Sequence, residues 1–172
     1  KIGEFRKENE RRQVVRIDEI PVNLRNAFVA IEDSRFQTHF GVDIIGIVRA
    51  MITNLQAGNI REGASTITMQ LTRNILPERV GTERKLMRKI KEAILAIQIE
   101  RHYSKNQILE FYLNHISFSN LAFGVHAAAA TYFSKDLKEL TLGECAVLAA
   151  IPRANTYYNP ILHPDHAIKR RN

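Results

Sequence analysis

Ile31-Glu32-Asp33-Ser34-Arg35-Phe36-Gln37-Thr38-His39-Phe40-Gly41-Val42-Asp43 brings together carboxylates, a guanidinium, an imidazole, two aromatic rings and a glycine. It follows an apolar run, Phe28, Val29 and Ile31. Leu24, Phe28 and Ile31 recur at helical spacing, and Pro21 suits a first helical turn, so a helix is predicted over 22–33 with Glu32 at its end. Asp43 reads as the N-cap of a second helix over 44–57. A packed core does not ask for such a mixture between two helices. A carboxylate at an apolar helix end is readily desolvated, which raises its pKa and suits it to general-base chemistry. The plainer alternative is that Glu32 and Asp33 pair with neighbouring Arg or Lys at the surface.

The remaining chain extends the helical reading. Residues 1–20 are charged and alternating, and an extended arm or short strand is expected there. Ile44, Ile47, Val48, Met51, Ile52 and Leu55 form a wide apolar face, expected to pack in a core; the alternative is a surface that meets a bilayer or lipid chain, with Arg49 interrupting it. After a loop over 58–64, Ser65 is expected to cap a short helix, 66–74, on which Thr66, Gln70 and Arg73 share one polar face. That face suits a sugar or phosphate, and equally plain solvent. Pro77 is expected to end this segment. Thr82 opens the longest helix, to about His102, striped by Leu86, Ile90, Ala93, Ile94 and Ile97. Arg84, Lys85, Arg88, Lys89 and Lys91 crowd its first half, where like charges repel unless Glu92 and a bound anion offset them. Ser104–Gln107 and Thr141–Glu144 are capping boxes, opening helices over 104–113 and 145–151. An Ala-rich helix, 124–133, lies between them, Tyr157 to Pro160 is a turn, and Pro164 begins a last helix. No Gly-rich phosphate loop, metal-binding histidine pair or repeat is present.

Composition agrees with a folded domain of 172 residues, 45% apolar and 25% charged. A single cysteine, Cys145, excludes an internal disulfide and a cysteine-based zinc site. The net charge of +7 favours anionic ligands or surfaces. No basic tract is interleaved with aromatics, so no nucleic-acid partner is expected. The longest stretch without a charged residue, Phe111 to Ser134, holds Asn, His and Ser and is not a membrane span. The chain begins without Met and stops at Arg170-Arg171-Asn172 within what reads as an unfinished helix, so it is read as part of a longer protein, with 1–172 as one domain.

Five motifs then resemble those of the peptidoglycan glycosyltransferases (family 51), the transglycosylase domain of class A penicillin-binding proteins. They are Glu32-Asp33-x-x-Phe36-x-x-His39-x-Gly41, Gly63 to Leu71, Arg88-Lys89-x-x-Glu92, Ile108-Leu109-Glu110-x-Tyr112-Leu113-Asn114, and Leu148 to Pro160. They occur in the family's order and cover nearly the whole chain. The resemblance implies a mainly α, lysozyme-like fold with a large lobe and a smaller membrane-facing lobe. It implies polymerisation of lipid II into β-1,4-linked glycan with release of undecaprenyl pyrophosphate, by an inverting displacement. Glu32 matches the general base and Glu92 the second essential carboxylate, a candidate to hold a cation, a divalent metal (Mg or Mn) or the donor sugar. Arg49, Arg73, Arg84 and Lys91 match donor or pyrophosphate positions. Asp33, Phe36, His39, Ser65, Thr66, Gln70 and Arg88 would shape the cleft, with Arg153 added from the fifth motif.

No organic cofactor is implied. The implied partners are lipid II, the growing lipid-linked chain, the membrane surface along 44–55 and other cell-wall synthesis proteins. The implied location is the outer face of the bacterial cell membrane, through an anchor outside this chain. Three departures stand out: Met69 where a second Gln is frequent, Arg73 where Lys is frequent, and Phe118-Ser119-Asn120 in place of a Tyr-x-Gly turn. A lysozyme-like hydrolase and a non-catalytic lipid-binding module are the competing readings; the cation cluster favours transfer, because a hydrolase of finished glycan has no pyrophosphate to hold.

Overall fold

The computed structural model describes residues 13–59, 61–81, 85–118 and 122–171. Among them the regular structure is helical, as expected: α1 (Val22–Glu32), α2 (Ile44–Ala57), α3 (Ile67–Ile75), α4 (Pro77–Val80), α5 (Lys85–His102), α6 (Lys105–His115), α7 (Val125–Phe133), α8 (Leu142–Ala150) and α9 (Pro164–Arg171). Single 3-10 turns cover Leu137–Glu139 and Ile151–Arg153. The chain divides into two compact units, Lys1–Phe28 with Leu113–Asn172, and Val29–Tyr112.

The first unit is built around the buried side chains of Leu24, Phe28, Leu113, Phe118, Val125, Leu137, Cys145 and Leu148. Phe28 meets Phe118 edge to face, with ring centroids 6.1 Å apart. Of the two expected alternatives, an extended arm or a short strand, residues 13–16 show no strand and no other regular structure, and 1–12 lie outside the described residues. A side chain takes the place of a partner strand: Val15 N–H donates to Asn114 Oδ1 at 2.9 Å, and Asn114 Nδ2 donates to the Val15 carbonyl at 2.8 Å. Gly124 precedes α7 with φ +81°, and a Cβ there would lie 2.8 Å from the Asn114 carbonyl oxygen. Only glycine meets both conditions. The Cys145 thiol is buried, and desolvation pushes its pKa up, in keeping with an inert core residue.

The Thr141–Glu144 capping box forms as expected. Thr141 Oγ1 accepts from the Glu144 N–H at 3.3 Å, and Glu144 Oε2 accepts from the Thr141 N–H at 2.8 Å. Lys135 Nζ adds a 2.7 Å bond to Glu144 Oε1. The Lys135 ammonium first, and then the Thr141 N–H, hold the Glu144 carboxyl below its ordinary value. A depressed folded-state pKa contributes stability that is full above the unfolded value, about 4.3, and is lost as pH falls through the lower folded value. Glu144→Gln should therefore flatten the loss of thermal stability on acidification below about pH 4.3, which melting curves at stepped pH measure.

The second unit packs α3 against α5, and Phe36, Ile67, Leu71, Ala96, Ile108 and Tyr112 are buried in it. Gly41, with φ +83°, lies against α5, where a Cβ would stand 2.7 Å from the Ala96 carbonyl carbon. This fixes the turn between α1 and α2 on α5. Asp43 is the N-cap residue of α2, as expected, and Arg35 Nε donates to its Oδ1 at 3.2 Å. Desolvation raises the Asp43 pKa, yet the Gly46 N–H and the Arg35 guanidinium outweigh it and leave the carboxyl below its ordinary value.

Several expectations are corrected here. The cap of α3 is Thr66, whose Oγ1 accepts from the Met69 N–H at 3.1 Å, so that helix starts one residue later than expected. Pro77 opens α4 instead of only closing α3. α2 buries only Gly46 and Ala50, while Ile44, Val48, Met51, Ile52 and Leu55 face solvent, Leu55 at 84% exposure. The core role expected for that face is overturned. α5 turns outward in the same sense: Leu86, Met87, Ile90, Ile94 and Ile97 are exposed, and the helix buries Glu92 and Ala96.

Candidate active site

The second unit brings most of the sequence-predicted site residues together, and α3 is the element that links them. Glu32 is the last residue of α1. Its Oε2 accepts a 2.7 Å bond from Gln70 Nε2, and Gln70 Oε1 accepts from the Tyr112 hydroxyl at 3.2 Å. Burial first, and then the negative charge of Glu32, push the Tyr112 pKa well above the ordinary tyrosine range, so this hydroxyl stays protonated as a donor. One turn along α3, Arg73 Nη1 stands 3.9 Å from Glu92 Oε1. Gln70 and Arg73, three residues apart and so neighbours on the helix surface, each face one of the two carboxylates.

Glu92 is fully buried, and its neighbours are cations. Lys89 Nζ lies 2.6 Å from Oε2, and Arg88 Nε 3.7 Å from Oε1. Lys89 also donates to Ser65 Oγ at 2.8 Å, which joins the loop before α3 to α5. A buried carboxylate survives only with such partners. The cations themselves remain 43% (Arg73), 33% (Arg88) and 37% (Lys89) exposed. Three positive groups share one negative one, so the cluster keeps positive charge on its open side and can receive an anion. A divalent metal does not suit this donor set: no group of three His, Cys, Asp or Glu able to hold an ion occurs among the described residues, and the atoms facing Glu92 are donors.

Asp33 has a different place. It is buried and bound to His39 Nε2 through both oxygens, at 3.0 and 2.9 Å, and its Oδ2 also accepts the Ile67 N–H at 3.0 Å. It therefore ties the turn after α1 to the first residue of α3. Thr66 adds a second tie, its hydroxyl donating to the Gly41 carbonyl at 2.6 Å. Phe36 is buried beneath Lys105, whose Nζ lies 4.5 Å from the ring centroid and donates to the His39 carbonyl at 2.7 Å. Asp33, Phe36, His39 and Thr66 thus build the frame that seats Glu32 against α3. Asp33→Ala should cost about 3 kcal/mol in chemical denaturation, because it strands a buried imidazole and a backbone N–H. Ser34→Ala, at an exposed neighbour, should change stability by less than about 0.5 kcal/mol.

Not every expected residue joins the group. Arg49 lies exposed on α2 and pairs with Glu62 at 3.4 Å. Lys91 is half-buried on α5. Arg84 falls outside the described residues, and Arg153 belongs to the other unit. Two residues that the motifs contain but that were not expected among the site residues, Lys89 and Tyr112, do join it. Lys89 sits three residues before Glu92, a spacing that reaches along one helix face; Tyr112 gave no such signal beyond its place in a motif.

The whole chain, residues 1–172, matches the transglycosylase family model. It is 53% identical over 163 residues to penicillin-binding protein 1A of Aquifex aeolicus, covering 95% of this chain and 22% of that protein. It is 50% identical over 162 residues to penicillin-binding protein 1A of Escherichia coli, covering 94% of this chain and 19% of that protein. The chain therefore spans about a fifth of the length of these relatives. Among solved structures it resembles penicillin-binding protein 1A of Haemophilus influenzae, with a TM-score of 0.52 and 26% identity over 95% of this chain and 14% of the other. The family suggested by the five motifs is thus the one the full chain matches: it belongs to the transglycosylase family.

Proposed function

We propose that the chain is a peptidoglycan glycosyltransferase that polymerises lipid II into β-1,4-linked glycan strands and releases undecaprenyl pyrophosphate. One observation carries the reading: α3 presents Gln70 to the carboxylate Glu32 and, a turn later, Arg73 to a cation group built on the buried carboxylate Glu92. This pairs a base with an anion site, the two requirements of displacing a pyrophosphate by a sugar hydroxyl.

Glu32 takes the proton from the acceptor 4-hydroxyl as that oxygen attacks the anomeric carbon of the growing chain. The Gln70 bond engages one carboxylate oxygen and leaves lone pairs on the other for the proton. The anomeric carbon–oxygen bond breaks with inversion, and its electron pair leaves on the pyrophosphate. Arg73, Arg88 and Lys89 meet the developing charge from fixed positions, which is commonly the largest catalytic contribution. Glu92 acts by fixing those cations. Lys91, Arg84, Arg49 and Arg153 are the further donor- and substrate-binding residues that the family motifs imply.

The exposed apolar residues of α2 and α5 suit contact with the lipid chains of a membrane surface. No helix among the described residues is long and apolar enough to cross a membrane. In this reading the chain works at the outer face of the bacterial cell membrane, where its lipid-linked substrate is presented, beside other cell-wall synthesis proteins.

Labelled lipid II in detergent tests the proposal against hydrolysis. A transferase converts it into long strands and releases no soluble fragments from finished peptidoglycan; fragments without polymer would mark a hydrolase.

A further inference from the structure

We infer that Tyr112 is a positioning residue for Glu32, acting through the side-chain amide of Gln70. This rests on the reading of Glu32 as the general base.

The two ends of a glutamine amide have nearly the same shape and opposite polarity. Packing alone does not choose between them; hydrogen-bond partners do. With Nε2 toward Glu32, Gln70 donates to the carboxylate at 2.7 Å, which favours the ionised base. With the amide reversed, its carbonyl dipole would oppose the carboxylate and favour a protonated, inactive Glu32. An ionised Glu32 can only accept and so draws the NH2 end, and the Tyr112 hydroxyl, donating to Oε1 at 3.2 Å, holds the other end of the amide in that same orientation. Tyr112 is itself fully buried, so the position of its hydroxyl oxygen is fixed by the core around it. The charged and titratable groups acting on this hydroxyl are Glu32 and Asp33 from the end of α1 and Arg73 from α3. Arg73 belongs to the Glu92 group, and Asp33 is bound to His39. Gln70 is therefore the group that relays the state of Tyr112 to Glu32.

The test is the pH–rate profile of lipid II polymerisation by Tyr112→Phe, which keeps the ring and removes the donor. A drop in kcat of about tenfold is expected, the equivalent of one lost hydrogen bond, with the acid limb of the profile displaced to higher pH. In a Gln70→Met background the same change should add no further loss, because the relay is already broken. Replacing Tyr112 with 3-fluorotyrosine keeps ring and hydroxyl but strengthens the donor. It should move the acid limb to lower pH, and it provides the deciding measurement if Tyr112→Phe fails to fold. An unmoved acid limb in the folded variants, or a loss that adds fully to that of Gln70→Met, overturns the inference. Glu32→Gln in the same assay separates the two levels: if it remains active, the base assignment fails; if it is inactive while the Tyr112 variants behave as wild type, only the relay fails.

Discussion

If Glu32 is the general base proposed above, Glu32→Gln should reduce polymerisation of lipid II by a factor on the order of 100 to 10,000 while the protein stays folded. The substitution keeps the size of the side chain and can still accept from Gln70, so the frame of Asp33, His39 and Thr66 is undisturbed. What it removes is the lone-pair basicity that the proposed mechanism assigns to Glu32 for accepting the hydroxyl proton. Binding of the lipid-linked donor should change little, because the cations around Glu92 are untouched. The effect should therefore fall on kcat, with KM nearly constant. Single-turnover polymerisation, alongside a melting curve, measures both halves of this expectation.

Glu92→Gln should be as damaging to activity, by at least about 100-fold, through a different cause. It leaves Arg73, Arg88 and Lys89 around a neutral amide, and their mutual repulsion is then no longer offset. The three side chains should lose their fixed placement against the charge that develops in the transition state, while the net positive charge of the site rises. Breaking a buried ion pair by changing one partner commonly costs about 3 to 5 kcal/mol; partial exposure of the cations and the amide's remaining hydrogen bonds place this case near or below the lower end. A more positive site also binds anions more tightly. Inorganic pyrophosphate should therefore raise the melting temperature of Glu92→Gln more than that of wild type. An equal rise in both would mean that the cluster is not an anion site.

The sequence made some parts of this molecule plain and hid others for identifiable reasons. The Ser104 and Thr141 boxes and Pro164 act through local geometry; α6 and α9 begin where Ser104 and Pro164 place them, while α8 begins at Leu142, directly after its cap and three residues before the expected start. Glu32 and Glu92 stood out because carboxylates beside apolar or cationic runs are locally conspicuous. Burial was less legible. Periodicity finds an apolar face but carries no record of what covers it, so the outward face of α2 read like core. On α5 the rule is inverted: Glu92, a carboxylate, is at 0% exposure, while Leu86, on the apolar stripe, is at 75%. Ser65 and Thr66 are adjacent residues of equal capping chemistry, and only the fold assigns the cap to Thr66 and gives Ser65 to Lys89. Tyr112 lies 42 residues from Gln70, and nothing local predicts that their side chains meet.

The most direct measurement is the ratio of products from doubly labelled lipid II, counting new glycosidic bonds against undecaprenyl pyrophosphate set free. A glycosyl transfer in which Glu32 activates the acceptor and the cations receive the leaving group forms one bond for each pyrophosphate released, and forms none in Glu32→Gln. Release of pyrophosphate without bond formation, or bond formation that persists in Glu32→Gln, would contradict it.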